Sequence, residues 1–178
     1  MNLRLNYIAP ISLANGPGKR FTLWVQGCSI HCPGCHNVDT WDPAKGFDKY
    51  VDDLVKEIQA VPGLDGITIT GGEPLDQIDA VYELCSKLFG KISIFLTTGY
   101  TLEQIYYRKM IKIVRVLDIL CSGPFLKGMV CEGEWKGSKN QDVTYFTELG
   151  ENQLSMPLVP REIIIDKTGS VLTTGFHP

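Results

Sequence analysis

The sequence predicts an α/β fold built on a parallel sheet, and three observations carry that expectation. Strand-like and helix-like stretches alternate between Phe21 and Leu120. The links between them are short, as in the right-handed crossovers of parallel sheets. Two glycine-bearing turns, Gly71-Gly72-Glu73-Pro74 and Thr97-Thr98-Gly99, follow strand patterns, at the strand ends where such sheets place their chemistry. A chain of 178 residues suits one domain with its own core.

Taken in order, residues 2–9 alternate enough for a short first strand, and Asn15-Gly16-Pro17-Gly18 is turn chemistry. Residues 21–25, Phe-Thr-Leu-Trp-Val, are β-branched and aromatic and read as a buried strand ending at Gly27. After Asp42-Pro43, the residues Phe47, Tyr50, Val51, Leu54, Val55 and Ile58 recur at helical spacing, so a helix is expected there, closed by Pro62-Gly63. Residues 66–70 form the next strand, and Pro74 is suited to the first position of a helix lined by Leu75, Ile78, Val81, Leu84, Cys85 and Leu88. Gly90 is a natural stop for it. Residues 92–96 read as a third strand, Thr101 and Gln104 as a capping box, and residues 117–120 as a further strand running into Ser122-Gly123-Pro124. Beyond Phe125 the pattern loosens. Residues 133–141 are polar, residues 149–160 resemble a connecting loop, and 161–166 with 170–174 suggest a hairpin joined by Lys167-Thr168-Gly169. Neither an internal repeat nor a second domain is visible.

Composition excludes several classes. Hydrophobic residues make up 44% and charged residues 21%, as in a folded soluble protein. A net charge of −3 gives no electrostatic footprint for nucleic acid or anionic membrane. The apolar runs are too short to span a bilayer, and residues 1–10 carry no signal-peptide pattern. Six cysteines without an export signal therefore point to the cytoplasm, where such thiols bind metal or act in catalysis.

Three of those cysteines lie in eight residues, Cys28-Ser29-Ile30-His31-Cys32-Pro33-Gly34-Cys35, on the loop that leaves the second strand. Thiolates select zinc, copper(I) or iron–sulfur clusters. No second Cys-x-x-Cys or His-x-x-x-His pair follows, so a closed zinc site lacks its usual fourth ligand. Three thiolates on a four-iron cluster leave one iron open for a small molecule. A carboxylate at Glu73, on the next strand end, could bind a cationic group in the same pocket. His31 and His36 read as solvated loop residues rather than ligands. Cys85 reads as inert core. Cys121 and Cys131 read as structural thiols, with a redox role or extra ligation left open. Trp24 and Trp41 flank the loop as shields, and Lys136 and Lys139 belong to a polar loop.

The Cys-x3-Cys-x2-Cys motif followed by Gly-Gly-Glu resembles the hallmark of the radical S-adenosylmethionine superfamily. The similarity narrows to the small activating enzymes of anaerobic, class III ribonucleoside-triphosphate reductases. It rests on Asn-Gly-x-Gly-x-Arg (Asn15 to Arg20), Asn37, Thr40-Trp41, Thr98-Gly99-Tyr100, Gly123-Pro124-Phe125 and Trp135-x-Gly-Ser-x-Asn-Gln ending at Gln141. It covers roughly residues 12–143. Two departures stand out: Glu73 replaces the Asp usual in those enzymes, and residues 144–178 have no counterpart in the pattern.

The resemblance implies a single-domain open partial (β/α)6 barrel with a C-terminal hairpin-like extension. It implies that Cys28, Cys32 and Cys35 hold a 4Fe-4S cluster whose open iron chelates S-adenosylmethionine. Gly34, Cys35, His36 and Thr97 would lie against that cofactor, and Gly71, Gly72 and Glu73 would meet its methionyl ammonium. One electron from the cluster would cleave the sulfonium to methionine and a 5′-deoxyadenosyl radical, which takes hydrogen from a backbone glycine of a partner enzyme. No side-chain acid or base is required. The implied partners are a glycyl-radical enzyme and an electron donor such as flavodoxin or ferredoxin. Other targets remain open: a different glycyl-radical enzyme, a peptide or a small metabolite. A third reading is a non-catalytic iron–sulfur carrier or sensor, although a carrier would more naturally close its cluster with four thiolates.

Overall fold

The computed structural model describes residues 1–165, 169 and 171–175. Seven strands form its main sheet: β1 (Asn2–Ser12), β2 (Arg20–Val25), β3 (Phe47–Tyr50), β4 (Gly66–Gly71), β5 (Ser93–Thr98), β6 (Ile119–Ser122) and β7 (Asp142–Tyr145). Their order is β3-β1-β2-β4-β5-β6-β7. Four central strands, β2, β4, β5 and β6, run parallel, while β1, β3 and β7 are antiparallel additions at the two edges. The sheet is thus mixed, where the strand–helix alternation alone suggests a parallel one. Helices α1 (Val51–Ala60), α2 (Ile78–Leu88) and α3 (Leu102–Tyr107) precede β4, β5 and β6 respectively. A short helix α4 (Glu148–Glu151) and a separate hairpin of β8 (Glu162–Ile165) and β9 (Val171–Thr174) follow. Among the described residues no helix is long and apolar enough to cross a membrane.

The period-2 alternation of the strands gives the sheet two unlike faces. Phe21, Leu23, Val25, Ile67, Ile69, Ile94 and Leu96 pack with Leu54, Ile58, Val81, Leu84 and Leu88 of the helices in one large core. Each such fully buried side chain contributes about 1.5–3 kcal/mol relative to exposure. The intervening positions face the other way. Phe95, Ile119, Cys121 and Trp135 form a smaller cluster there, beside the polar series Arg20, Thr22, Thr68 and Ser93.

Arg20 ties this second face together. It is fully buried, and its guanidinium donates to Thr68 Oγ1 (3.2 Å), Ser93 Oγ (3.3 Å), Gln153 Oε1 (3.0 Å) and the carbonyls of Pro17 and Ile67. Desolvation lowers its pKa to about 9, against the pull of Asp118 and Asp65. The fork geometry, with five N–H donors, lets one side chain join β2, β4, β5 and the segment after α4.

Several elements match the sequence expectation in detail. The capping box forms, with the Gln104 amide donating to Thr101 Oγ1 (3.2 Å) and the Thr101 amide to Gln104 Oε1 (3.0 Å). Pro74 opens a 3-10 turn (Pro74–Gln77) that leads into α2, and Gly90 at φ +74° ends that helix. Elsewhere the structure corrects it. Phe47 and Tyr50 belong to β3, not to a helix: Phe47 pairs with Leu5 and Tyr50 with Asn2, and both side chains are exposed. Their i, i+3 spacing imitates a helix, but the unpaired edge of β1 takes them as a strand. β7 was not expected, and β6 begins at Ile119 because Asp118 uses its carboxylate to accept from the Ile94 amide (2.8 Å). The terminal hairpin is present; Asp166, Lys167, Thr168 and Ser170 of the expected segment lie outside the described residues.

Candidate functional site

The cysteine loop is closed at its base by backbone pairing. The Gly27 amide donates to the Thr40 carbonyl (2.7 Å) and the Cys28 amide to that of Trp41 (3.2 Å). Gln26 secures the same neck, its Nε2 donating to the carbonyls of Asp39 (3.1 Å) and Asp42 (2.8 Å). Ser29 ties the loop to the 3-10 turn before α2: its amide and hydroxyl both donate to the Asp76 carboxylate (2.8 Å each), with Tyr100 Oη 3.0 Å from Ser29 Oγ. A tight turn, Cys35 amide to Cys32 carbonyl (3.0 Å), sets the spacing of the last two thiols. Gly34 within it has φ +78°, and a Cβ there would press on Lys127 Cδ at 2.7 Å. The positive φ favours glycine there, while the exposed Lys127 side chain can move aside.

Cys28, Cys32 and Cys35 are free and half-buried, and they line one cavity of about 120 Å3. Burial pushes the Cys28 and Cys32 thiols up, and the nearby Glu73 carboxylate adds to that. Metal binding must therefore displace protons from them. The Asn37 amide donates to Cys35 Sγ (3.3 Å).

The Gly71-Gly72-Glu73 turn forms the opposite wall, and backbone proximity explains each residue. The Gly72 amide donates to the Val25 carbonyl (2.9 Å) and the Glu73 amide to that of Gly27 (2.8 Å). At Gly71, with φ +102°, a Cβ would meet Trp24 Cα at 2.7 Å; at Gly72 it would collide with the Gly27 carbonyl oxygen. Glu73 is 1% exposed. Its Oε1 accepts from the Leu75 amide (2.9 Å) and Thr98 Oγ1 (2.7 Å), and its Oε2 from the Gly99 amide (2.8 Å). The carboxylate thus caps the turn before α2 and staples it to the end of β5. Burial raises its pKa to about 7, with those hydrogen bonds opposing. A carboxylate has about four acceptor positions. Three are taken, so one remains for a donor inside the cavity.

These residues suit a polynuclear cluster. The three thiols line one cavity, and thiolates are the donors that iron–sulfur clusters take. Trp41 also lines the cavity, and its indole N–H is buried without a hydrogen-bond partner. A cluster sulfide is an acceptor that such a donor would meet.

A second compartment of about 200 Å3 adjoins the first, sharing Cys35, Asn37, Thr70, Thr97, Phe125 and Gln141 with it. His36 borders this compartment, with its ring 4.9 Å from that of Phe125, while His31 is exposed and stacks on Trp41 at 4.6 Å. Thr97 Oγ1 donates to Thr70 Oγ1 (2.7 Å) on the adjoining strand. Trp24 lines the larger compartment and Trp41 the thiol cavity.

Thr70, Thr98, Phe125 and Gln141 belong to the site although no role follows for them from sequence. The signal for Thr70 was present: Thr68 and Thr70 alternate with Ile67 and Ile69, marking a polar strand face. Gln141 acts from a loop, accepting from the Gly137 amide (2.9 Å) and donating to the Gly123 carbonyl (2.8 Å).

Cys85 is fully buried in the helix-side core, with its thiol pushed far up by desolvation. Cys121 borders the larger compartment but is buried, its pKa pushed up to about 12, and Cys131 is buried nearby. Lys136 pairs with Glu134 (2.9 Å).

Comparison with known proteins agrees with this geometry. Residues 14–144 match the family described as a 4Fe-4S single cluster domain. The anaerobic ribonucleoside-triphosphate reductase-activating protein of Enterobacteria phage T4 is 33% identical over 147 residues, 77% of this chain and 92% of that protein. Its counterpart in Vibrio cholerae is 34% identical over 151 residues, 78% of this chain and 95% of that one. The pyruvate formate-lyase-activating enzyme of Listeria monocytogenes is 31% identical over 127 residues, 66% of this chain and 51% of the enzyme. The chain belongs to the 4Fe-4S single cluster domain family, among the activating enzymes of the radical S-adenosylmethionine superfamily.

Proposed function

We propose that this chain generates a glycyl radical on a partner enzyme, the anaerobic ribonucleoside-triphosphate reductase, with a 4Fe-4S cluster and S-adenosylmethionine as its cofactors. The observation that carries the reading is the convergence of Cys28, Cys32, Cys35, Gly71, Gly72, Glu73 and Thr97 on one cavity. That cavity sits beyond the C-terminal ends of parallel strands β2, β4 and β5, the expected place for chemistry in such sheets. In this reading the whole chain is one cytoplasmic domain, a short open relative of the (β/α)6 partial barrel, with its core near residues 12–143.

When bound, the cluster supplies one electron that splits S-adenosylmethionine into methionine and the 5′-deoxyadenosyl radical. The chain's residues bind, orient and exclude water. Cys28, Cys32 and Cys35 hold three irons. Glu73 offers its remaining acceptor position to the methionyl ammonium, while its other three bonds fix the turn on which it stands. Gly71 and Gly72 let that turn approach the cysteine loop. His36 and Thr97 border the space left for the cofactor, while Gly34 lines neither compartment and serves the turn between Cys32 and Cys35. Trp24 and Phe125 contribute apolar walls that keep water out. An electron donor of the flavodoxin or ferredoxin kind supplies the cluster. The likeness to a pyruvate formate-lyase-activating enzyme favours one alternative target, another glycyl-radical enzyme.

The test is anaerobic: load the cluster, reduce it, add S-adenosylmethionine and an anaerobic ribonucleoside-triphosphate reductase, and record the electron paramagnetic resonance spectrum. A glycyl doublet with matching 5′-deoxyadenosine supports the reading. Deoxyadenosine without a doublet moves the search to another target, and neither product from an intact cluster refutes it.

A further inference from the structure

The hairpin β8–β9 lies beyond the shared domain, whose match ends at residue 144, yet it reaches the site. Thr173, Thr174 and Gly175 line the 200 Å3 compartment together with Cys35 and His36. Among the described strands β8 and β9 pair only with each other, so the hairpin is held in place by a latch rather than by the sheet. The Glu162 carboxylate accepts from Ser12 Oγ, from the Leu13 amide (2.9 Å) and from Asn15 Nδ2 (3.4 Å). Thr174 is buried, and its hydroxyl donates to Asn15 Oδ1 (3.1 Å). At Gly175 a Cβ would collide with the Pro160 carbonyl oxygen, so the end of β9 folds tightly against the segment that enters β8.

From this placement we infer that the hairpin is a wall of the reaction compartment that this chain adds to the shared domain, shielding the space beside Cys35 and His36 from solutes. The compartment's polar lining is already engaged within the chain: Thr68 accepts from Arg20, Thr97 donates to Thr70, Gln141 bonds Gly137 and Gly123, and Asn15 is part of the latch. The hairpin therefore closes a preformed space of about 200 Å3. The inference rests on the activase reading, since a radical formed in this compartment must meet its target before any other hydrogen donor. Removing the wall lets C–H and S–H donors from solution, such as a thiol reductant, give hydrogen to the radical before the substrate does, forming deoxyadenosine and a solute radical, so cofactor cleavage is uncoupled from radical transfer.

The test uses the cluster-loaded chain with residues 161–178 deleted, beside the full-length chain. The first readout is alkylation of Cys121 by iodoacetamide, followed by peptide mass, with Cys85 as the core control. Opening the compartment should speed Cys121 modification by about tenfold and leave Cys85 unchanged. The second readout is coupling. Deoxyadenosine formed without reductase should rise about threefold, and glycyl radical per deoxyadenosine should fall about threefold. Both readouts within about twofold of the full-length chain overturn the inference. If the shortened chain fails to hold iron, the Glu162→Gln/Thr174→Val double variant loosens the latch in the whole protein and must shift both readouts the same way; unchanged values again overturn it. Full-length protein that cleaves the cofactor but makes no reductase radical would refute the activase reading instead, while the Cys121 rate still decides whether the hairpin is a wall.

Discussion

The closest backbone approach in the site, at Gly72, gives the sharpest prediction. Gly72→Ala places a methyl group against the Gly27 carbonyl, with the Gly27 carbonyl carbon at 2.9 Å and the Thr40 oxygen at 3.2 Å. All three atoms are backbone, so no side chain can swing away. The turn must retreat from the cysteine loop, which stretches the Gly72–Val25 and Glu73–Gly27 hydrogen bonds. Two such bonds, at about 1 kcal/mol each, together with overpacking of about 1–3 kcal/mol, make a loss of about 3–5 kcal/mol. That is a large share of the 5–15 kcal/mol typical of a domain. With a urea slope near 2 kcal/mol per M, the unfolding midpoint of the metal-free chain should fall by about 2 M. Iron bound after reconstitution should fall too, because Gly27 adjoins Cys28. Gly128→Ala is the control: a Cβ there meets nothing within 4 Å and the residue has no positive φ. A Gly72→Ala midpoint within about 0.3 M of that control, with full iron content, would refute the close-approach account of the glycine pair.

Further outcomes follow from the same geometry. Cys32→Ala should abolish cluster assembly, measured as bound iron and sulfide; a variant with full iron would sink the ligand assignment. Glu73→Gln sets an amide N–H among three donors and should cost about 1–3 kcal/mol in urea unfolding, so wild-type stability would remove the staple from Glu73. The folded-state pKa of Glu73 is raised to about 7 from an ordinary 4.5. Its contribution is therefore fully present below pH 4.5 and is lost as the pH rises through 7. Glu73→Gln should flatten that part of the metal-free chain's stability profile, and an unchanged slope would contradict the buried carboxyl. Tyr100→Phe removes a hydroxyl 3.0 Å from Ser29 Oγ and 3.2 Å from Asp76 Oδ1. It should cost about 0.5–1.5 kcal/mol while leaving iron content intact, as determined by denaturation and iron assay.

Much of this architecture is legible locally. The cysteine spacing, the capping box at Thr101, the stop at Gly90 and the apolar stripe of α2 all involve residues within a few positions of one another. Ligand spacing, caps and helical periodicity act at that range, so the chain announces them unaided. The same holds for chemistry: three thiols in eight residues, with no distant ligand pair, narrow the metal before any fold is known.

Long-range contact decided the rest. Phe47 and Tyr50 satisfy a helical period, but the free edge of β1 determines their state. Glu73 reads as a pocket carboxylate, and only the approach of Thr98 and Gly99 on β5 makes it a buried staple with one acceptor position left. Asn15 and Thr174 lie 159 residues apart, and no local pattern joins them. A sequence by itself determined which groups this protein carries and how the nearest of them are spaced. Which groups share a cavity depended on burial and hydrogen bonding between distant segments, interactions that exist only once the sheet has brought those segments together.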